Sequence, residues 1–314
     1  MAVYAFVFPG QGSQSVGMGQ DLAQAFSSAR AVFEEVDDAL GENLSKIIFE
    51  GPADTLTSTE NAQPALMAVS MAVLRVLETE GGLDLASTAT LLAGHSLGEY
   101  AALAAARSLG IAQTAKLLRL RGQAMQKAVP AGEGGMAALI GATLEQAEEI
   151  CAQASKTALV EIANDNGGGQ IVLSGKMAGI DAAIALAKEM KIKRAVKLPV
   201  SAPFHSSLMK PAEAIMAEAL EQASIAAPIV PVVANVTAQR ETDADTIRKN
   251  LVQQVTGRVR WEESVRAMVE MGVDSFVEIG AGKVLAGLVR RIAPDVTTTS
   301  VGTPDEIESF LKSL

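Results

Sequence analysis

Ser96 lies in Gly94-His95-Ser96-Leu97-Gly98, a G-x-S-x-G spacing set between strand-like TATLLAG (88–94) and helix-like LGEYAALAAARSL (97–109). A serine on such a strand-to-helix turn has its hydroxyl lifted to a helix N-terminus, where amide donors and the positive dipole end collect. This is the setting of a nucleophile elbow; an ordinary serine N-cap is the alternative. A nucleophilic hydroxyl needs a base, and the chain has only two histidines. His95 adjoins Ser96 and is expected to point away from it as a structural residue. His205, in LPVSAPFHSSLMKPAEAIMAEAL, follows a proline-containing loop and precedes an amphipathic helix. The dipole of that helix would favour the neutral imidazole that a general base requires. His205 is therefore the candidate base, against the alternative of a satisfied structural histidine.

Arg121 is the third chemical candidate. In IAQTAKLLRLRGQAM (111–125), a helical rotation of about 100° per residue sets Arg121 among Leu117, Leu118 and Met125 on the apolar face. Arg119 falls about 160° away, on the side expected to meet solvent. An inward guanidinium needs an anionic or polar partner. A structural ion pair would serve; so would a substrate carboxylate gripped in bidentate fashion.

The opening VFPGQGSQSVGMG (7–19) raises a different chemistry, since a strand running into a glycine-rich turn can cradle phosphate. Gly10, Gly12 and Gly17 do not make G-x-G-x-x-G, because Ser15 occupies the third glycine position, and no lysine follows Gly17 for a Walker-type loop. A non-catalytic nucleotide-binding protein remains the reading to test by equilibrium dialysis. A formal charge of −10 argues against general nucleic-acid binding. Two histidines and one cysteine, Cys151, argue against a histidine- or cysteine-based metal site and exclude an internal disulfide. The N-terminal MAVYAFVFPG lacks the basic region of a signal peptide, and no apolar run reaches membrane-spanning length. The expectation is a cytoplasmic protein, monomeric, without a cofactor or membrane partner.

The elements that must position these residues read as α/β. YAFVF (4–8) is a strand, and Leu22, Phe26, Ala29, Phe33, Val36 and Leu40 recur at helical spacing. A second helix is expected to start near Pro64, and PIVPVVANV (228–236) and SFVEIG (275–280) read as further strands. Strand, tight turn and helix in alternation imply a mainly parallel sheet in a large, α/β-hydrolase-like domain. The segment 130–198 reads strand, helix, strand, strand, helix, strand, the ferredoxin-like βαββαβ order. The expected organisation is a discontinuous catalytic domain, 1–129 with 199–314, and an inserted small domain, 130–198.

FPGQGSQ (8–14), TENAQPAL (59–66), GHSLGE (94–99), RGQAMQ (121–126), GQIVLSG (169–175), HSSLMKPA (205–212) and VEIGAGKVLAGL (277–288) stand in order along nearly the whole chain. In these motifs the chain resembles the bacterial malonyl-CoA:acyl-carrier-protein transacylases, the acyltransferases of type II fatty acid synthesis. The resemblance implies a ping-pong reaction. Ser96 attacks the thioester of malonyl-CoA with His205 as base, and the phosphopantetheine thiol of acyl carrier protein then collects the malonyl group. It implies that Arg121 pairs with the malonyl carboxylate and that the main-chain carbonyl of Gln254 orients His205. It also implies an oxyanion hole made by the main-chain N–H groups of Gln11 and Leu97. Gln254 suits its part, since a helix ending near Gly257 leaves that carbonyl without an intrahelical partner.

Gly257-Arg258 departs from the family's usual Asn-Pro, and Ala281 replaces a proline in its Gly-Pro-Gly turn. Phe204 precedes His205 as in malonyl-selecting polyketide synthase acyltransferases, but Pro203 stands before it. An acidic carrier protein would have to dock on local basic residues, for which Lys191, Lys193, Arg194, Lys283, Arg290 and Arg291 are candidates. The rival enzyme is a serine hydrolase or thioesterase with the same elbow and base. Its usual serine–acid–histidine order would call on Asp165 or Asp181.

Overall fold

The computed structural model describes residues 2–200 and 202–314. Strands β1 (Tyr4–Phe8), β2 (Ala89–Gly94), β3 (Gly134–Ile140), β4 (Val160–Asp165), β5 (Gln170–Lys176) and β6 (Arg194–Lys197) occupy the first two thirds of the chain. They are followed by β7 (Val232–Val233), β8 (Arg240–Glu241), β9 (Val259–Arg260), β10 (Ser275–Ile279) and β11 (Thr297–Val301). Together with helices they make an α/β protein with two sheets. The larger has the order β11-β10-β1-β2-β7-β8, parallel except for β8 at one edge.

Its central strands are near-continuous apolar runs because both faces are covered by helices. Side chains alternate across the sheet: Phe6, Phe8 and Leu92 join the core shared with helix Thr59–Thr79. Ala5, Val7, Leu91 and Ala93 join a second core with Trp261, Val265 and Leu285. The half-exposed threonines of β11 suit its edge position.

The smaller sheet has the order β6-β3-β5-β4-β9. Helix Leu144–Ala154 lies between β3 and β4, and helix Met177–Glu189 between β5 and β6, so the chain runs βαββαβ as read. Ala137, Leu139 and Leu173 pack on Ile150, Ile180 and Ala183 of these helices. The opposite face, with Met136, Ala138 and Val172, joins the large core and turns toward the cavity described below. Strand β9, which the sequence did not suggest, crosses over to pair in parallel with β4 at Asn164 and Asp165.

Three elements differ from expectation. The first helical run is two helices, Gln20–Ala25 and Ser27–Leu40, broken where Phe26 turns extended (φ −127°). Pro64 lies inside the helix that begins at Thr59, one turn later than the start position expected for it. The stretch 228–236 keeps only two ladder residues, because Pro228 and Pro231 lack a donor. The Pro231 carbonyl still accepts from Leu92 N–H at 2.9 Å.

Candidate active site

Strand β2 ends at Gly94 and helix Leu97–Ala105 begins three residues on, so the turn between them is forced tight. A Cβ on Gly94 would stand 1.9 Å from the Gly98 carbonyl oxygen, and one on Gly98 would stand 2.2 Å from the carbonyl oxygen of Phe8. No larger residue fits either place, which is the physical content of the G-x-S-x-G spacing. Ser96 itself sits at φ 54°, ψ −112°, a sparsely populated region whose cost is on the order of 1–3 kcal/mol.

The strained turn lifts Ser96 Oγ to 2.7 Å from His205 Nε2. His205 Nδ1 lies 2.9 Å from the main-chain carbonyl oxygen of Gln254 and 3.1 Å from that of Gly257. Two carbonyls at Nδ1 require it to carry the proton, so Nε2 is left to accept from the serine hydroxyl. Helix Ala244–Gln254 ends at this point, which frees the Gln254 carbonyl as expected. The altered Gly257 supplies the second acceptor. Burial, and then the positive charge of Arg121, push His205 down to about 3, so the imidazole is neutral. The helix dipole expected to do this lies farther off: a short 3₁₀ turn, Ser207–Met209, separates His205 from helix Lys210–Glu221.

Arg121 points inward, buried, as its place on the helix implied. One terminal nitrogen donates to Gln63 Oε1 at 2.8 Å; the other donates to Gln254 Oε1 at 2.9 Å and to Ser96 Oγ at 3.2 Å. Its guanidinium carbon stands 5.7 Å from the centre of the Tyr100 ring. Among the described residues no carboxylate makes an ion pair with it. The Glu99 carboxylate acts on it by charge and is linked to it through Gln254, whose Nε2 donates to Glu99 Oε2 at 2.7 Å. Burial pushes the Glu99 carboxyl up to about 7 despite the hydrogen bonds from Asn235 and Gln254 and the charge of Arg121. Arg119 departs from expectation. It turns back to bond the Glu60 carbonyl and Asn61 and pairs with Glu42 at 2.8 Å, so only 11% of its side chain is exposed.

A cavity of about 340 Å³ opens onto the pair, bordered by the opening loop, the elbow and the inner face of the smaller sheet. Gln11 and Leu97 both line it, and neither main-chain N–H donates to another group among the described residues. Phe204 is in its wall. His95 turns away from Ser96, with Nε2 2.7 Å from Asn166 Oδ1 and its ring against Trp261. The aspartates that a serine–acid–histidine order would need are elsewhere: Asp181 pairs with Lys197, and Asp165 accepts from the Gly167 N–H. The structure thus brings Ser96, His205, Arg121, Gln254, Gln11 and Leu97 to one place. Sequence reasoning left out Gln63, Glu99, Tyr100 and Asn235. The first three had a signal, as polar residues inside buried helical faces, whereas Asn235 had none.

The acyl transferase domain model matches residues 5–303. Over 315 residues the chain is 44% identical to the malonyl CoA-acyl carrier protein transacylase of Bacillus subtilis, covering 100% of this chain and 98% of that one. The chain belongs to the malonyl-CoA:acyl-carrier-protein transacylase family. Among solved structures, the acyl-carrier-protein-S-malonyltransferase of Bartonella henselae superposes with a TM-score of 0.97 at 56% identity over 99% of both chains. A malonyl-transacylase solved in complex with its type II PKS acyl-carrier protein gives 0.96 at 40% identity over 100% of both. The transacylase resemblance carried by the seven motifs is borne out.

Proposed function

We propose that the chain transfers the malonyl group of malonyl-CoA to the phosphopantetheine thiol of acyl carrier protein, supplying fatty acid synthesis through a malonyl ester on Ser96. The observation that carries this reading is the buried Arg121 guanidinium beside the nucleophile, held by two amide oxygens and without an ion-pair partner among the described residues. A buried cation in that state favours an anionic ligand, and a malonyl carboxylate would supply one while its thioester carbon faces Ser96.

In the forward half-reaction His205 Nε2 takes the Ser96 hydroxyl proton as Oγ bonds to the thioester carbon. The carbonyl oxygen becomes an oxyanion, received by the N–H groups of Gln11 and Leu97. A donor of this kind typically contributes about 10²–10³ in rate. Collapse breaks the carbon–sulfur bond, and the imidazolium returns its proton to the leaving CoA thiolate. The imidazolium is steadied by the Gln254 and Gly257 carbonyls at Nδ1. The pantetheine thiol then runs the same steps in reverse, giving its proton to His205, attacking the ester and releasing Ser96. A substrate carboxylate on Arg121 offsets the charge that depresses His205, so the base strengthens when malonyl is bound.

The inserted segment 130–198 serves in this reading as a ferredoxin-like domain, and 1–129 with 199–314 as an α/β-hydrolase-like one, the site lying between them. This reading takes the working unit as a cytoplasmic monomer. Arg291 donates to Gln170 at the cavity wall, and Lys193 packs near Gly141 on the same side. These two residues head the basic rim offered to an acidic carrier protein; Lys283 is engaged with Glu306 at 2.8 Å. The deciding experiment is intact-mass analysis after malonyl-CoA treatment, with a malonyl adduct expected and absent in Ser96→Ala. Release of mainly free malonate in the presence of carrier protein would favour the hydrolase instead.

A further inference from the structure

The elbow is held from outside by a side chain that none of the seven motifs contains. Strands β2 and β7 pair at Leu92 with Val232 and at Ala93 with Val233. Beyond that register the two chains part, because β2 bends into the elbow. Asn235, two residues past the end of β7 and 1% exposed, spans the gap. Its Oδ1 accepts from Ser96 N–H at 2.7 Å, and its Nδ2 donates to the Gly94 carbonyl at 2.7 Å. Its own N–H donates to Glu99 Oε2 at 3.0 Å, and its carbonyl accepts from Arg260 N–H at 3.0 Å. All four polar groups of the residue are thereby engaged.

We propose that Asn235 is a positioning residue for the Ser96 nucleophile, its side-chain amide clamping the two sides of the elbow and continuing the β2–β7 ladder where the main chain cannot. The proposal rests on Ser96 being the nucleophile. Its chemistry demands an amide: a carboxylate can take the Ser96 N–H but cannot donate to Gly94, and an aliphatic residue does neither. With the Ser96 N–H occupied, the amide left facing the cavity at the elbow is that of Leu97. Loss of the clamp would let Ser96 relax from φ 54°. That would carry Oγ away from His205 while leaving Arg121 and Gln63 in place.

The test is single-turnover malonylation of Asn235→Ala and Asn235→Asp by malonyl-CoA, with the adduct mapped to its residue and thermal melting recorded. In Asn235→Ala the acylation rate is expected to fall at least about thirty-fold, as misplacement of a reacting group does, with half-saturating malonyl-CoA little changed. In Asn235→Asp the deficit relative to the unmodified chain should narrow as pH is lowered, because a protonated carboxyl regains the donor to Gly94. The charged or titratable groups around that position are Glu99, Arg260, His95 and Glu241, with Arg121 and His205 beyond Ser96. They are present in every protein compared, and Asn235→Ala, which adds no carboxyl, controls for their own titration.

A rate for Asn235→Ala within about threefold of the unmodified chain would overturn the proposal, given the size of effect that misplacement produces. So would losses matching the unfolded fraction alone, or an Asn235→Asp deficit that ignores pH. Should Asn235→Ala fail to fold, the pH behaviour of Asn235→Asp decides. An adduct that persists in Ser96→Ala sinks the nucleophile reading itself. An adduct on Ser96 formed at normal rate in both Asn235 variants sinks only the clamp.

Discussion

The two walls that would flank a developing oxyanion are built in opposite ways. The elbow, Gly94 to Glu99, is packed against main chain at both its glycines, with glycine-to-carbonyl approaches that leave no space for a methyl group. It is also tied by Asn235 and by Gln254, whose Nε2 donates to the Ser96 carbonyl at 3.0 Å. The opening loop after β1 is exposed at Gln11 and Gly12, and a Cβ on Gly12 or Gly17 would meet nothing within 4 Å. Among the described residues its Gln11 side chain is held through one bond, from Thr59 Oγ1 at 3.0 Å. The strained Ser96 sits in the dense wall, and the other proposed donor, Gln11, rides on a tethered loop. A cavity built this way would keep Ser96, the proposed nucleophile, fixed beside a wall whose Gly12 and Gly17 have open space around them.

The strongest way to break that contrast is to place the same methyl group in each wall. Gly98→Ala drives a Cβ into the Phe8 and Pro9 carbonyls and should cost at least about 4 kcal/mol, the range of severe backbone and core lesions. Malonylation should be abolished even in whatever fraction still folds, because the push separates the elbow from the opening loop. Gly12→Ala meets open space, and its φ of 104° leaves only a backbone penalty, on the order of 1–3 kcal/mol. Chemical denaturation and single-turnover malonylation of the pair measure the difference. Similar losses in both would show that the loop is as constrained as the elbow.

Arg121→Ala tests the dense wall from within. The kcat/KM for malonyl-CoA should fall about 10²–10³-fold, the value of a desolvated charge contact in a site, while acetyl-CoA, which has no carboxylate to pair, loses far less. Since the Arg121 charge holds His205 down, its removal should also move the acid limb of the acylation rate to higher pH. Equal loss for both acyl groups would make Arg121 a structural cation. An acid limb that stays put would mean that burial alone sets the histidine.

Much of this site was legible because the chemistry is confined to few residue types. One serine in a glycine-flanked turn and a choice of two histidines left little freedom, and the apolar neighbours of Arg121 fixed its direction. The βαββαβ order was legible because each element has its own period and a turn at each end. What escaped was set by tertiary contact. Asn235 lies in a stretch whose apolar pattern reads as a longer strand, and its role depends on β2 bending away from it. Strand β9 is two residues long and exists only because β4 offers an edge. Arg119 was assigned to solvent by rotation alone, but Glu42 and the start of the neighbouring helix come within reach of its long side chain.

Glu99 gives a smaller effect with a defined sign. Its folded carboxyl titrates near 7 rather than the ordinary 4.5, so between those values the folded chain holds the extra proton and stability falls as pH rises. Above the window the full cost is present, roughly 3 kcal/mol for a shift of this size. Asn235 N–H and Gln254 Nε2 both donate to the same oxygen, Oε2, so Glu99→Gln can keep both bonds without the charge. Its stability relative to the unmodified chain should therefore improve from pH 5 to pH 8, read from denaturation midpoints at the two values. A difference that does not change with pH would mean that Glu99 keeps an ordinary carboxyl in the folded chain.

Thr59→Val probes the looser wall at the bond that holds the Gln11 side chain. Thr59 Oγ1 donates to Gln11 Oε1 and accepts from Gln63 Nε2, both at 3.0 Å. Valine keeps the shape and removes both bonds, which for neutral groups are worth about 1 kcal/mol each. Gln63 retains its bond to Arg121, so the malonyl-to-acetyl preference should hold while the acylation rate falls about three- to tenfold through a less ordered Gln11. The comparison of the walls sharpens if the drop is confined to rate. It breaks if the acyl preference shifts instead, for then Thr59 would act through Gln63 and Arg121, and the opening loop would be held by contacts other than this one.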